Sequence, residues 1–170
     1  MKIIRINFAL IFDKEVSDSL IKTSQKIANS NNSNYILSKQ SIPHISVAQV
    51  DVKEDKVNEL LDFNKDFKCI VKTCGLNIRQ TDKNKTWLEI SVLKNKKLKN
   101  LQSDVLEVIG NKKVINGVGD NYRPHITLGL LQNNTFNLDF QNELFVDKEI
   151  TSYLKVGYVG ENGILKNLLN

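Results

Sequence analysis

The sequence predicts an α+β protein built from a duplicated lobe, with antiparallel or mixed sheets lining a central cleft and helices on the outside. The first observation behind this is a repeated phrase. Ile42-Pro43-His44-Ile45-Ser46-Val47 and Arg123-Pro124-His125-Ile126-Thr127-Leu128 contain both histidines and both prolines of the chain. The second is their separation of 81 residues, which carries 4–12 onto 85–93 and 14–29 onto 95–110 without a gap. The third is that the superposed stretches share a character, a strand-like run followed by a helix-like run. Val16, Leu20, Ile21, Ile27 and Ala28 give one apolar stripe at helical spacing, and Leu98, Leu101, Val105, Leu106 and Ile109 give the other. A repeat of this kind sets the whole architecture, so it is read first.

Strands are expected near 2–12, 34–38, 44–50, 66–79, 85–93, 125–131, 143–147, 150–159 and 163–169, and helices near 14–29, 53–64 and 95–109. The opening run is interrupted by Arg5 and Asn7 and stops at Asp13 with no small-residue cleavage site, so it reads as a strand and not a signal peptide. Asp13 and Asn95 are suited to cap the helices that follow them. Asn31-Asn32 suits the exit of the first helix. Segment 110–122 is the longest irregular connection and leads into the second motif, where a loop can rim a site. Glu161-Asn162-Gly163 reads as a tight hairpin turn, because Asn-Gly tolerates positive φ. The spaced glycines from Gly157 to Gly163 precede no helix, which makes them hairpin glycines instead of a dinucleotide loop.

At 170 residues the chain is expected to form one two-lobed domain over 1–170, with motifs at 43–47 and 124–128. A chain of that size buries roughly 70% of its unfolded surface without covalent staples. The net charge of +5 and pI near 9.1 mildly favour polyanionic partners. Cys69 and Cys74 cannot make a disulfide framework and have no metal-site company, which suits a reducing, cytoplasmic compartment. No stretch is long and apolar enough to span a membrane, and no obligate protein partner is evident.

The motif strands carry the chemistry. Period-two geometry puts His44 and Ser46 on one face and Ile45 and Val47 on the other, and likewise His125 and Thr127 against Ile126 and Leu128. Histidine gives and takes protons near neutrality. A facing pair can divide the labour of an in-line displacement, one imidazole taking the nucleophile's proton while the other protonates the leaving oxygen. Hydroxyls on the same faces can hold non-bridging oxygens where charge accumulates. Two histidines without clustered cysteines or a third carboxylate make a poor zinc site, so no metal is expected.

The paired Pro-His-Ile-Ser and Pro-His-Ile-Thr resemble the double signature of the two-histidine phosphoesterase superfamily, which includes 2′–5′ RNA ligase-like proteins, cyclic phosphodiesterases and phage enzymes that cut cyclic-nucleotide signals. Asn7-Phe8-Ala9-Leu10 looks like the family's first strand, and the Gly-rich terminal hairpin suits its last. The resemblance implies that His44 and His125 are the acid/base pair and that Ser46 and Thr127 bind phosphate. It implies no cofactor, and a nucleotide, RNA or oligonucleotide substrate carrying a 2′,3′-cyclic phosphate or a 2′–5′ linkage. Two other readings stay open: a phosphodiesterase for cyclic di- or oligonucleotide immune signals, and a nucleotide- or RNA-binding module without turnover.

Three further residues are candidates for holding substrate. Trp87 opposes the apolar Leu88, Ile90 and Val92 on its strand, so it either stacks on a base or completes a core edge. Phe12 is a second stacking candidate, because the 81-residue register puts Ile6, Phe8, Leu10 and Phe12 on the cleft side; polarity instead favours Arg5 and Asn7. Arg123 shares the parity of His125 and either pairs with phosphate oxygens or is a solvated loop residue. The cluster Lys94, Lys96, Lys97 and Lys99 reads as a solvated face or a nucleic-acid track.

Overall fold

A computed structural model describes residues 2–63, 66–82, 85–132, 137 and 147–169. The elements are β1 (Ile3–Phe12), α1 (Lys14–Ser30), β2 (His44–Lys53), α2 (Asn58–Leu61), β3 (Lys68–Asp82), β4 (Lys85–Val92), α3 (Lys96–Ile109), β5 (His125–Leu131), β6 (Glu149–Val159) and β7 (Leu165–Leu168). The protein is α+β and its strand pairings are antiparallel throughout, in the order β1-β2-β5-β4-β3-β6-β7. Because β1 also pairs with β6, the first six strands in that order close into a ring. The ring is pinched where β2 meets β5, through the single pair Ile45↔Ile126. The two motifs therefore meet at its narrowest join.

Side-chain chemistry explains the helix boundaries. Asp13 accepts from the Val16 amide and Asn95 from the Leu98 amide, both at 2.9 Å, satisfying amides that the first turn leaves without partners. Asn31 closes α1 by donating to the Ile27 carbonyl. The turn between β6 and β7 has positive φ at both Asn162 and Gly163 and is closed by the Ile164 amide on the Glu161 carbonyl. That is the primed hairpin geometry Asn-Gly favours.

Each long helix leans on the motif strand of the other half: α1 packs on β5, and α3 on β2. The Ser24 hydroxyl donates to the Leu128 carbonyl at 2.6 Å, and the Gln102 amide donates to the Val47 carbonyl at 2.9 Å. Val47 and Leu128 are equivalent by the 81-residue offset. Both are bulged residues, skipped in the pairing of β1 with β2 and of β4 with β5. The bulges and their helix braces thus recur in both halves, as a duplication requires.

Three expectations are corrected. Residues 34–38 form no strand. Their amides and carbonyls are taken by isolated bridges and by the Ser24 and Ser33 hydroxyls, while Tyr35 and Leu37 still point into the core. The helix expected over 53–64 shrinks to a 3-10 turn at Glu54–Lys56 and the single turn α2, because Val57, Leu60, Leu61 and Phe63 supply apolar side chains for only about one turn. The first strands of the two halves superpose at an offset of 80, not 81: Ala9 pairs with Ser46 as Glu89 pairs with Thr127, and Ile11 with His44 as Ser91 with His125. A slip of one residue exchanges the faces of a strand. Phe8, Leu10 and Phe12 consequently lie in the hydrophobic core, and Asn7 faces the cleft side. The strand expected at 143–147 lies outside the described residues but for Asp147.

Candidate active site

Pro43 and Pro124 are both buried and lead their histidines into β2 and β5. The antiparallel pair Ile45↔Ile126 sets His44 across from Thr127 and Ser46 across from His125, so the two imidazoles sit diagonally about a pseudo-twofold axis. All four line one cleft with a cavity volume of about 150 Å³. Its wall includes Trp87, Glu89, Arg79 and Gln49.

The imidazoles are held identically. His44 Nδ1 lies 2.8 Å from the Ile42 carbonyl and His125 Nδ1 lies 2.7 Å from the Arg123 carbonyl, in each case two residues upstream. A carbonyl only accepts, so Nδ1 carries a proton and donates it. In the neutral ring Nε2 is then the basic atom. Burial pushes His44 down to about 4, against a smaller opposing effect of its Ile42 hydrogen bond and with further lowering by charge on His125. Burial also lowers His125, but there the Glu89 carboxylate and the Arg123 carbonyl pull the other way, while Arg123 and Arg79 add to the lowering.

Glu89 is the unequal element. Its carboxylate is 1% exposed and takes two hydrogen bonds from Arg123, at 2.5 and 3.1 Å. His125 Nε2 is 3.4 Å from Glu89 Oε1, Arg79 is 4.0 Å away, and the Asn77 amide donates at 3.5 Å. Burial alone would raise this carboxyl; the Arg123 hydrogen bonds and the neighbouring positive charges outweigh it and hold it below its ordinary value. Glu89 is therefore an anion inside the cleft. The equivalent position beside His44 is Ala9.

Ser46 is held by two amides. Its oxygen accepts from Asn7 Nδ2 at 2.8 Å and from Gln49 Nε2 at 3.1 Å. With both lone-pair directions occupied, the hydroxyl proton is left to donate elsewhere. Asn116 Oδ1 accepts from the Gln49 amide and Asn116 Nδ2 donates to the Val47 carbonyl, tying segment 110–122 to β2 beside the cleft. A second cavity of about 410 Å³ opens from the same centre on that side, lined by Ser46, His125, Arg79, Asn121, Tyr122 and neighbouring residues. His125 lines both cavities; His44 lines the first alone.

The remaining expectations resolve unevenly. Trp87 lines the cleft and also packs against the core, edge-on to Tyr35 at 6.0 Å between ring centres. Phe12 is 6% exposed and does not reach the cleft, a consequence of the register difference in β1. Arg123 is exposed on one side and paired on the other, where Glu89 occupies two of its nitrogens. Lys94 and Lys97 donate to the backbone carbonyls of Asp120 and Lys68. Glu89 shares the parity of Trp87 on its strand, but nothing in the sequence gives it a role. Gln49 was hidden because the bulge at Val47 and Ala48 breaks strict alternation from Ser46. Arg79, Asn116 and Asn162 reach the cleft through pairings that no local pattern signals. Among the described residues no group of three or more His, Cys, Asp or Glu side chains could hold a metal ion. Among them, too, no helix is long and apolar enough to cross a membrane.

Compared by sequence, the chain matches no family model and no curated protein. Compared by structure, it has the two-lobed fold of the two-histidine phosphoesterases. It is similar to LigT of E. coli complexed with 3′-AMP, with a TM-score of 0.60 at 13% identity over 99% of this chain and 97% of that one. It is also similar to a phosphoesterase, with a TM-score of 0.58 at 13% identity over 99% and 97% of the two chains. The PDE domain of MHV ns2 superposes with a TM-score of 0.52 at 16% identity, over 94% of this chain and 100% of that one. At such identities the likeness is one of fold.

Proposed function

We propose that this protein is a metal-independent phosphodiesterase acting on nucleotide or RNA phosphodiesters, either a 2′,3′-cyclic phosphate or a 2′–5′ linkage, in the cytoplasm. One observation carries the reading: two imidazoles, each fixed through Nδ1 by a carbonyl, present Nε2 with a hydroxyl partner on one face across a single strand pair. One Nε2 removes a proton from the attacking water or ribose hydroxyl as its oxygen bonds to phosphorus. The other delivers a proton to the ribose oxygen whose bond to phosphorus breaks. Ser46 and Thr127 donate to the non-bridging oxygens. Trp87 offers a face for a base, and Arg79, 4.0 Å from the Glu89 carboxylate, is a candidate for phosphate. The LigT structures with 3′-AMP, phosphate and NADP+ support a nucleotide ligand on this fold.

The test is chromatography of 2′,3′-cyclic AMP incubated with the protein in EDTA, beside His44→Ala and His125→Ala. Ring opening by the wild type alone is the expected result, and the monophosphate isomer identifies the leaving oxygen. Opening that persists in either variant, or that stops in EDTA, overturns the mechanism. An unchanged substrate redirects the assay to 2′–5′-linked and cyclic oligonucleotides; failure there leaves a binding module.

A further inference from the structure

The duplicated centre is symmetric in its histidines, hydroxyls, bulges and Nδ1 carbonyls, and asymmetric at one position. Where β4 pairs Glu89 with Thr127, β1 pairs Ala9 with Ser46. A buried carboxylate thus stands 3.4 Å from Nε2 of one imidazole and has no counterpart beside the other. That distance lets the anion favour a proton on Nε2 by charge, yet is too long for a strong hydrogen bond that would keep the proton from a substrate. Arg123 fixes the carboxylate bidentately, so it cannot swing to meet the ligand itself. The cavities are unequal in the same sense, because only His125 faces the wider one.

We propose that Glu89 is the positioning residue that breaks the symmetry of the duplicated centre, favouring a proton on His125 over one on His44 so that His125 is the general acid and His44 the base. The leaving group then departs into the wider cavity lined by Arg79, Asn121 and Tyr122. This rests on the phosphodiesterase reading. In the step, His44 Nε2 accepts the proton of the attacking hydroxyl as its oxygen bonds to phosphorus. The bond from phosphorus to the leaving oxygen breaks, and that oxygen takes the proton from His125 Nε2. The charged groups facing His125 are Glu89 from β4, Arg79 from β3, Arg123 preceding β5, and His44 across the cleft. Glu89 is the anion among them.

The experiment uses the full chain and its Glu89→Gln and Glu89→Asp variants. The two imidazoles are first titrated by NMR, with each resonance assigned by the corresponding His→Ala variant. His125 is expected to titrate above His44. Glu89→Gln should move His125 downward by about one pH unit with a smaller effect on His44, and Glu89→Asp should restore most of the difference. Turnover is then compared on 2′,3′-cyclic AMP and on thymidine 5′-(4-nitrophenyl phosphate), whose aryl oxide leaves without a proton. Glu89→Gln should lose about tenfold in kcat/KM on the cyclic nucleotide at pH 7 and little on the aryl ester. His44→Ala should lose heavily on both. His125 titrating below His44, an unmoved His125 in Glu89→Gln, or equal losses on both substrates would each overturn the assignment. A wild type with the expected titrations that cleaves neither these diesters nor the oligonucleotides would sink the phosphodiesterase reading and the acid role with it, leaving only the protonation asymmetry.

Discussion

Ser46 and Thr127 occupy equivalent positions yet are held differently. Ser46 accepts two amide hydrogen bonds, whereas the Thr127 hydroxyl has no such tie among the described residues. Ser46→Ala leaves the Asn7 and Gln49 amides without their acceptor. It is expected to cost about 2 kcal/mol of stability and to lower kcat by about a hundredfold. Thr127→Ala should lower kcat with little change in stability; denaturant unfolding beside steady-state kinetics separates the two. The histidines set the pH dependence. His44 must be neutral to act as base, and burial holds it at about 4, so activity should fall as pH drops toward that value. His125 must be protonated to act as acid and lies below its ordinary 6.5, so kcat/KM should decline as pH rises through the region below that value. A bell confined to acidic pH is the expected profile. An alkaline limb well above 6.5 in kcat/KM would mean that the Glu89 carboxylate outweighs desolvation at His125. Both histidines were legible in the sequence as rare residues in a repeated phrase. The carbonyl clamps on Nδ1 were not, because they depend on how the chain turns after each proline.

At the scale of elements, the motif strands are braced by helices from the opposite half. Gln102 is 2% exposed; its amide nitrogen donates to the Val47 and Gly117 carbonyls, and its oxygen accepts from the Gly119 amide. Gln102→Leu leaves the Gly119 amide without its side-chain acceptor and leaves the Val47 and Gly117 carbonyls with Asn116 Nδ2 as their remaining side-chain donor, so it should destabilise the fold by about 1–2 kcal/mol, read as a lower denaturant midpoint. Because Gly117 and Gly119 belong to the connection that walls the wider cavity, KM should rise more than kcat falls. Ser24→Ala, which unpairs the Leu128 carbonyl and the Leu37 amide, should cost about 2 kcal/mol without raising KM. The helices themselves, their caps at Asp13 and Asn95 and the Asn162-Gly163 turn were readable, since capping and turn chemistry act within a few residues. The partner of each helix was not, because an apolar stripe says that a face is buried and not against what. Tyr35 and Leu37 alternate like a strand but find hydroxyls where a strand would find a ladder, which local alternation cannot distinguish.

For the whole molecule, ring closure controls access to the interior. Cys69 lies on β3 against Ser152 of β6, buried where the ring closes, while Cys74 of the same strand is exposed. A thiol reagent should label Cys74 at once in the native protein and Cys69 only at the rate of opening, so its labelling reports global stability. Rapid labelling of both would mean that the β3–β6 join opens on its own.

What the sequence determined by itself was the duplication, the α+β class and the two Pro-His-Ile-(Ser/Thr) phrases, because repeats, periodicity and residue rarity are properties of order along the chain. The tertiary structure alone decided which face of β1 meets the cleft, since a bulge opposite Phe8 and Ala9 and an offset of 80 instead of 81 exchange every side chain between core and site. It also decided that Phe12 is core, that Arg123 serves Glu89, and that Glu89 stands beside one histidine and not the other. Those outcomes depend on pairing between strands distant in sequence, and pairing is fixed only when the ring closes.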